Sequence, residues 1–322
     1  MFGLLQKKWS AVRFWQNFSW RRSGPHQIKP LSVMLEFCGE PCTGKTTILT
    51  MLRKMSVDDP LPSRLSISMC ADDPRAALVE RQRAEQMHKE LMSDAGLAST
   101  LADRRTDYYV YEGDISAVAV RLHECVGQAL TRFDPQSDRS GLYERYLDRL
   151  RKAQVILLVV RCPREPLGDD ANLRSDIAVG INYLRAALSA HVGTNRRVSV
   201  AILITMVDAA FETVQAAQQG LSEAVLKEML RPLIALIETS QVLYSAVIFP
   251  VSAMGFAVRT GAAGGERGRA FNLDALLPWS ILQGILPQDV NMQNGQSELL
   301  RRVANSLEAD LRELKPWMCQ IR

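Results

Sequence analysis

The 322-residue chain has no apolar run that approaches the roughly 18 residues a membrane-crossing helix needs, so no transmembrane segment is expected. Its N-terminus lacks a clean apolar core followed by a small-residue cleavage site, which argues against a secretory signal. Cys38, Cys42, Cys70, Cys125, Cys162 and Cys319 include no Cys-x-x-Cys pair. Scattered in this way they read as reduced core thiols of a cytosolic protein rather than a disulfide framework. His26, His88, His123 and His191 show no metal-ligand spacing with the cysteines or with each other. There is no internal repeat and no low-complexity tract. Acidic residues are missing altogether from positions 1–30, which carry Lys7, Lys8, Arg13, Arg21, Arg22 and Lys29.

That last absence reinterprets the net charge. The whole chain is formally +4 and the first thirty residues alone are +6, which leaves the body at −2. Basicity belongs to an N-terminal arm, and a nucleic-acid-binding surface spread over the protein is not supported. Within the arm, Phe2, Leu5, Trp9, Val12, Trp15 and Phe18 recur at helical spacing, and Gly24-Pro25 ends the pattern. Such a helix packs on the body or on a partner protein. A basic-aromatic helix over residues 1–22 also suits a membrane surface, which would make a cytoplasmic protein peripherally membrane-associated.

What is present is a 47% hydrophobic fraction, ordinary for a chain that buries a core, arranged as alternating strand-like and helix-like stretches. Ser32–Cys38, Gln154–Val160, Val198–Met206 and Ala246–Val251 are short apolar runs of the kind buried on both faces of a sheet. Tyr108–Glu112 and Ala117–His123 flank Glu112-Gly113-Asp114, a hairpin-type turn. Helical stretches are expected over 46–55, 75–95, 142–151, 174–190, 211–239 and 273–286. Arg259–Arg269, with four glycines, reads as a loop. This alternation predicts an α/β fold with a mostly parallel sheet and helices on both faces. The expected organisation is a basic amphipathic arm (1–30), a nucleotide-binding body (31–286), and a linker with a C-terminal amphipathic helix (287–322) marked by Leu300, Val303, Leu307, Leu311 and Leu314. Terminal helices of this kind suit grips for other proteins.

The body opens on Gly39-Glu40-Pro41-Cys42-Thr43-Gly44-Lys45-Thr46, which fits GxxxxGK[ST] between an expected strand and an expected helix. Glycines let the backbone wrap a phosphate with successive N–H groups pointing inward, and the helix N-terminus adds positive potential. Lys45 is placed to reach β- and γ-phosphates, Thr46 to ligate Mg²⁺, and Thr47 to sit in the first helical turn.

Three further segments follow in order. Glu124-Cys125-Val126-Gly127-Gln128 comes after the hairpin, Thr205-Met206-Val207-Asp208 after the strand at 198–204, and Ser252-Ala253-Met254 after the strand at 246–251. Together with the phosphate loop they resemble the four motifs of a Ras-like, TRAFAC-class P-loop GTPase domain over residues 31 to about 286. Within that class the chain resembles the divergent GTPases of bacterial conflict operons. The resemblance implies a Ras-like three-layer sandwich that binds GTP or GDP with Mg²⁺ and acts as a molecular switch with slow hydrolysis.

The same resemblance assigns roles. Asp208 would accept hydrogen bonds from the guanine N1–H and amine, a pair of donors adenine lacks. The backbone N–H of Ala253, beside Ser252, would meet the guanine O6. Met206 stands where the family has Lys, and Glu124 where it has Asp near a Mg²⁺ water. The N–H of Gly127 would meet the γ-phosphate, and Gln128 would orient the attacking water. Thr106 or Thr100 would be the switch-one metal ligand, Thr106 being the nearer to the second strand. Arg161 reads as a solvated charge at a strand end, and 164–175 as a surface loop. The departures at Glu124 and Met206 leave open a nucleotide-binding scaffold without hydrolysis, and Asp208 alone also suits the acidic strand end of a P-loop ATPase.

Overall fold

The computed structural model describes residues 29–58, 65–68, 79, 82, 85, 86, 89, 104–113, 115–124, 142–194, 196–256, 270–287 and 294–322. The N-terminal amphipathic stretch, the loop at 259–269, Thr100, Gly127, Gln128 and most of 75–95 lie outside them.

The strands are β1 (Leu31–Cys38), β2 (Ser66–Ser68), β3 (Arg104–Glu112), β4 (Ile115–Glu124), β5 (Val155–Arg161), β6 (Val198–Thr205), β7 (Leu243–Pro250) and β8 (Cys319–Gln320). They form one sheet in the order β2-β3-β4-β1-β5-β6-β7-β8. The inner pairs β4/β1, β1/β5, β5/β6 and β6/β7 are parallel, and β2/β3, β3/β4 and β7/β8 are antiparallel. The expected α/β class with a mostly parallel sheet is therefore present. β1 sits where the strand order changes direction, with later strands added on both sides. A crevice opens beyond the C-terminal end of a strand at such a switch point.

The helices are α1 (Lys45–Asp58), α2 (Leu142–Lys152), α3 (Ala171–His191), α4 (Val207–Ala210), α5 (Val214–Gly220), α6 (Glu223–Met229), α7 (Arg231–Glu238), α8 (Leu276–Ile285) and α9 (Asn294–Leu314). Alternation along β5 shows how the layers are held. Val155, Leu157 and Val159 face a core shared with α1, α8 and α9, and Ile156, Leu158 and Val160 face one shared with α2, α3 and α5–α7. Both faces are dry, so the strand reads as one unbroken apolar run. On the first face α8 lies very close to β1. A Cβ at Gly284 would come within 2.2 Å of Val33 Cγ1, so only glycine permits this approach.

Several elements differ from the sequence expectation. The stretch 211–239 is broken into α5, α6 and α7. The α5–α6 break follows Gly220, which packs under the Phe211 ring, and α7 has proline in its first turn, where no N–H is needed. Strands β2 and β8 are three and two residues long, too short to show a period. The C-terminal segment is built into the body. Leu300, Val303 and Leu307 of α9 are buried in the core with α8 and β4, and β8 then pairs with β7. Each such side chain contributes about 1.5–3 kcal/mol relative to exposure, so the apolar stripe of α9 is already used internally.

Candidate functional site

The end of β1 delivers the chain into a tight loop beneath the C-terminal ends of β5 and β6. Gly39 has φ +147°, and a Cβ there would meet the Val159 carbonyl oxygen at 2.7 Å, so the loop enters by a backbone path closed to other residues. Cys42, with φ +63°, and Gly44, with φ +88°, turn the chain through left-handed conformations. The loop is held at several points. Thr43 Oγ1 donates to the Glu40 carbonyl at 2.8 Å, and Thr205 Oγ1, from the end of β6, donates to the Thr43 carbonyl at 2.7 Å. Lys45 Nζ donates to the carbonyls of Gly39 at 2.9 Å and Glu40 at 2.6 Å, which places its ammonium inside the curve of the loop. Helix α1 then starts, with Ile48 N–H bonded to the Gly44 carbonyl at 2.9 Å. The N-terminus of α1 and the Lys45 ammonium together make an anion cradle.

The second expected component lies beside it. Thr46 Oγ1 donates to Glu124 Oε1 at 2.5 Å, and Glu124 is almost fully buried at the end of β4. The β1/β4 register sets Phe37 opposite Glu124, so the acid must arrive next to the loop. A hydroxyl and a carboxylate are hard oxygen donors of the kind that suit Mg²⁺. Among the described residues no three His, Cys, Asp or Glu side chains converge, so such an ion would take its other ligands from phosphate and water.

The third and fourth components meet beyond the β6 and β7 ends. Asp208 lies in the single turn α4, and its Oδ1 accepts a hydrogen bond from Ser252 Oγ. Ser252 Oγ in turn accepts the Gly255 N–H at 2.8 Å, which shapes the loop carrying Ala253. Met206 is left-handed, with φ +59°, and its Cε lies 3.6 Å from where a Gly44 Cβ would be. Its partly exposed thioether is therefore an apolar group packed beside the phosphate loop. Sequence segments some 78 and 44 residues apart are thus joined by direct side-chain bonds at one end of the sheet.

Two expectations change. Thr106 is not among the groups brought to Thr46. It is buried within β3 opposite Leu122, and its hydroxyl accepts the Arg53 Nε–H at 2.9 Å, two turns along α1. Arg161 is not a solvated charge. At the end of β5, its backbone N–H and Nε donate to Asp176 Oδ2 at 2.8 and 2.9 Å, and Nη2 donates to Asp176 Oδ1 at 2.6 Å and to Glu40 Oε2 at 2.9 Å. Glu40 Oε1 accepts from Ser175 Oγ at 2.8 Å. The expected surface loop ends early, because Asp170 caps α3 by accepting from the N–H groups of Asn172 and Leu173. Ser175 and Asp176 are therefore helical and face the phosphate loop.

Burial drives the Asp176 carboxyl above its usual range, against the pull of Arg161, and contact with Glu40 adds to the rise. For Glu40 partial burial works upward, yet contact with Asp176, the Ser175 hydroxyl and the Arg161 charge together take it below the usual range. Glu40 is therefore the member of the pair biased to stay ionised. The sequence motif includes Glu40, but Arg161, Ser175 and Asp176 carry no local signature that links them to it.

The fold is thus α/β, with a mostly parallel eight-stranded sheet and a GxxxxGK[ST] loop between β1 and α1. No protein-family model matches the chain, and no curated protein matches it. Among solved structures it is similar to the Ski7 GTPase-like domain of S. cerevisiae, solved bound to GTP, with a TM-score of 0.43 and 14% identity. The match covers 82% of this chain and 52% of that one, so the chain spans about half the length of the solved structure. Similarity at that level bears on neither ligand nor activity.

Proposed function

We propose that the protein binds a guanine nucleoside triphosphate with Mg²⁺ and hydrolyses it slowly, as a switch within a bacterial multi-protein system. The observation that carries this reading is the convergence of four separate sequence segments on one sheet end. Lys45 and the α1 N-terminus supply the phosphate cradle, Thr46 with Glu124 the oxygen donors for the ion, and Asp208 with Ser252 and Ala253 the base-facing wall. Mg²⁺, when bound, would neutralise charge on the phosphates. The protein's own part is to hold the phosphate loop, orient the triphosphate through Lys45, and offer Asp208 to the base edge.

Asp208 supports this reading over an ATPase one. An acid that served a phosphate-bound ion would sit beside Thr46, and Glu124 occupies that place. Asp208 is instead tied to Ser252, at the start of the loop after β7.

Titration of the full chain with GTP and ATP in the presence of Mg²⁺ tests the proposal. Wild type should prefer GTP. Lys45→Ala should weaken binding on the order of a hundredfold or more, since it removes a charge that faces phosphate. Asp208→Asn should relax the preference for guanine, because an amide cannot accept both donors. Equal affinity for ATP and GTP, or an unchanged Lys45→Ala variant, would sink the reading. Tight GTP binding with no cleavage at all would leave a nucleotide-dependent scaffold.

A further inference from the structure

A phosphate-binding loop with a carboxylate in its second position contains an electrostatic contradiction. The site attracts a polyanion, yet Glu40 brings a negative charge into the same turn. The surrounding fold resolves it. Both carboxylate oxygens of Glu40 are engaged by groups outside the loop, Oε2 by the Arg161 guanidinium from β5 and Oε1 by the Ser175 hydroxyl from α3. The guanidinium is itself fixed, because Asp176, almost fully buried, accepts three hydrogen bonds from Arg161. Arg161 thus has little freedom to leave, and its fork geometry faces two acids at once.

We propose that Arg161 is a positioning residue for phosphate binding, which neutralises the Glu40 carboxylate and draws it toward α3 so that an acidic loop can accept a polyphosphate. This rests on the nucleotide reading above and adds a determinant of affinity that lies outside the phosphate motif. The direction of the shifts at the two acids agrees, since Glu40 is the one held ionised beside the cation. Asp176 anchors the guanidinium, and Ser175 completes the carboxylate's hydrogen bonds. Substituting Arg161 therefore has two separable effects. It exposes the bound phosphates to an uncompensated charge, and it leaves Asp176 without its cation. The second can unfold the protein on its own account.

The experiment titrates the full-length chain with GTP, GDP and GMP in the presence of Mg²⁺, in wild type and in Arg161→Gln, Glu40→Gln and the double variant. A parallel set carries Asp176→Asn, so that no buried carboxylate is stranded, and thermal unfolding checks that each variant folds. Arg161→Gln should weaken GTP binding on the order of tenfold, with smaller losses for GDP and the least for GMP, because the effect scales with phosphate charge. Glu40→Gln should tighten GTP binding, and the double variant should return to within about twofold of wild type, since the two charge changes cancel. Equal losses for all three nucleotides, or no recovery in the double variant, would overturn the proposal in favour of a purely structural role. Unchanged affinity with slower GTP cleavage would overturn it too, by placing Arg161 on the reacting phosphate. A wild type that binds none of the three removes the nucleotide reading and this proposal together, whereas a wild type that binds while Arg161→Gln is unaffected removes this proposal alone.

Discussion

The Thr46 hydroxyl donates to the Glu124 carboxylate at 2.5 Å, joining the first turn of α1 to the end of β4. The acid is glutamate where the resembling family has aspartate, so the extra methylene shortens the reach left for an ion between the two groups. A misplacement of about 1 Å costs on the order of a hundredfold in rate. Glu124→Asp should therefore raise single-turnover GTP cleavage, and Gln128→Ala should lower it. The measurement is hydrolysis of bound GTP with enzyme in excess. Fast cleavage that ignores Gln128→Ala would show that the water is positioned by some other group.

Thr106 gives the opposite expectation from the one its place in the sequence suggested. Its hydroxyl is committed to Arg53, so Thr106→Val should leave GTP and Mg²⁺ affinities unchanged. Loss of a hydrogen bond to a charged donor should lower stability by about 1.5–3 kcal/mol, read from urea unfolding. A loss of Mg²⁺ dependence with stability intact would return Thr106 to the metal.

Acid should weaken the fold through His123. Burial pushes its pKa down to about 4, with Arg149, Arg105 and Arg121 adding repulsion for a proton. An unfolded histidine titrates near 6.5. The folded state thus binds fewer protons between these values, so stability held above pH 6.5 declines as the pH falls toward 4. His191, also lowered mainly by burial, acts in the same direction. His123→Gln should flatten part of that slope in urea midpoints measured from pH 7 to 4.5. An unchanged slope would assign the acid sensitivity elsewhere.

Deleting residues 1–22 should leave GTP affinity intact and abolish either liposome binding or a protein contact, since the basic charge is confined to the arm. Sedimentation with anionic vesicles and pull-down by the full chain separate the two outcomes. A truncated protein that fails to fold would show instead that the arm completes the core.

The sequence alone determined the phosphate loop, because GxxxxGK[ST] is a local device whose glycines and lysine act within eight residues. It also determined the strands that carry the site, since a run such as Val155–Val160, apolar at every position, has few homes other than a sheet covered on both faces. The hairpin of β3 and β4 was legible for the same reason, through Gly113 between two β-rich runs. Only the tertiary structure decided which polar groups meet. Arg161 and Glu40 are 121 residues apart, and nothing local distinguishes a strand-end arginine in water from one locked between two acids. Thr106 shows the same limit, because its place in the sequence does not reveal that its hydroxyl meets Arg53 of α1. The stripe on α9 is visible as periodicity, but periodicity is silent on whether the partner surface is another protein or the chain's own β4 and α8. Local patterns specify elements through short-range sterics and burial, whereas the charge pairs and helix docking that tune the site depend on distances set only when the sheet is assembled.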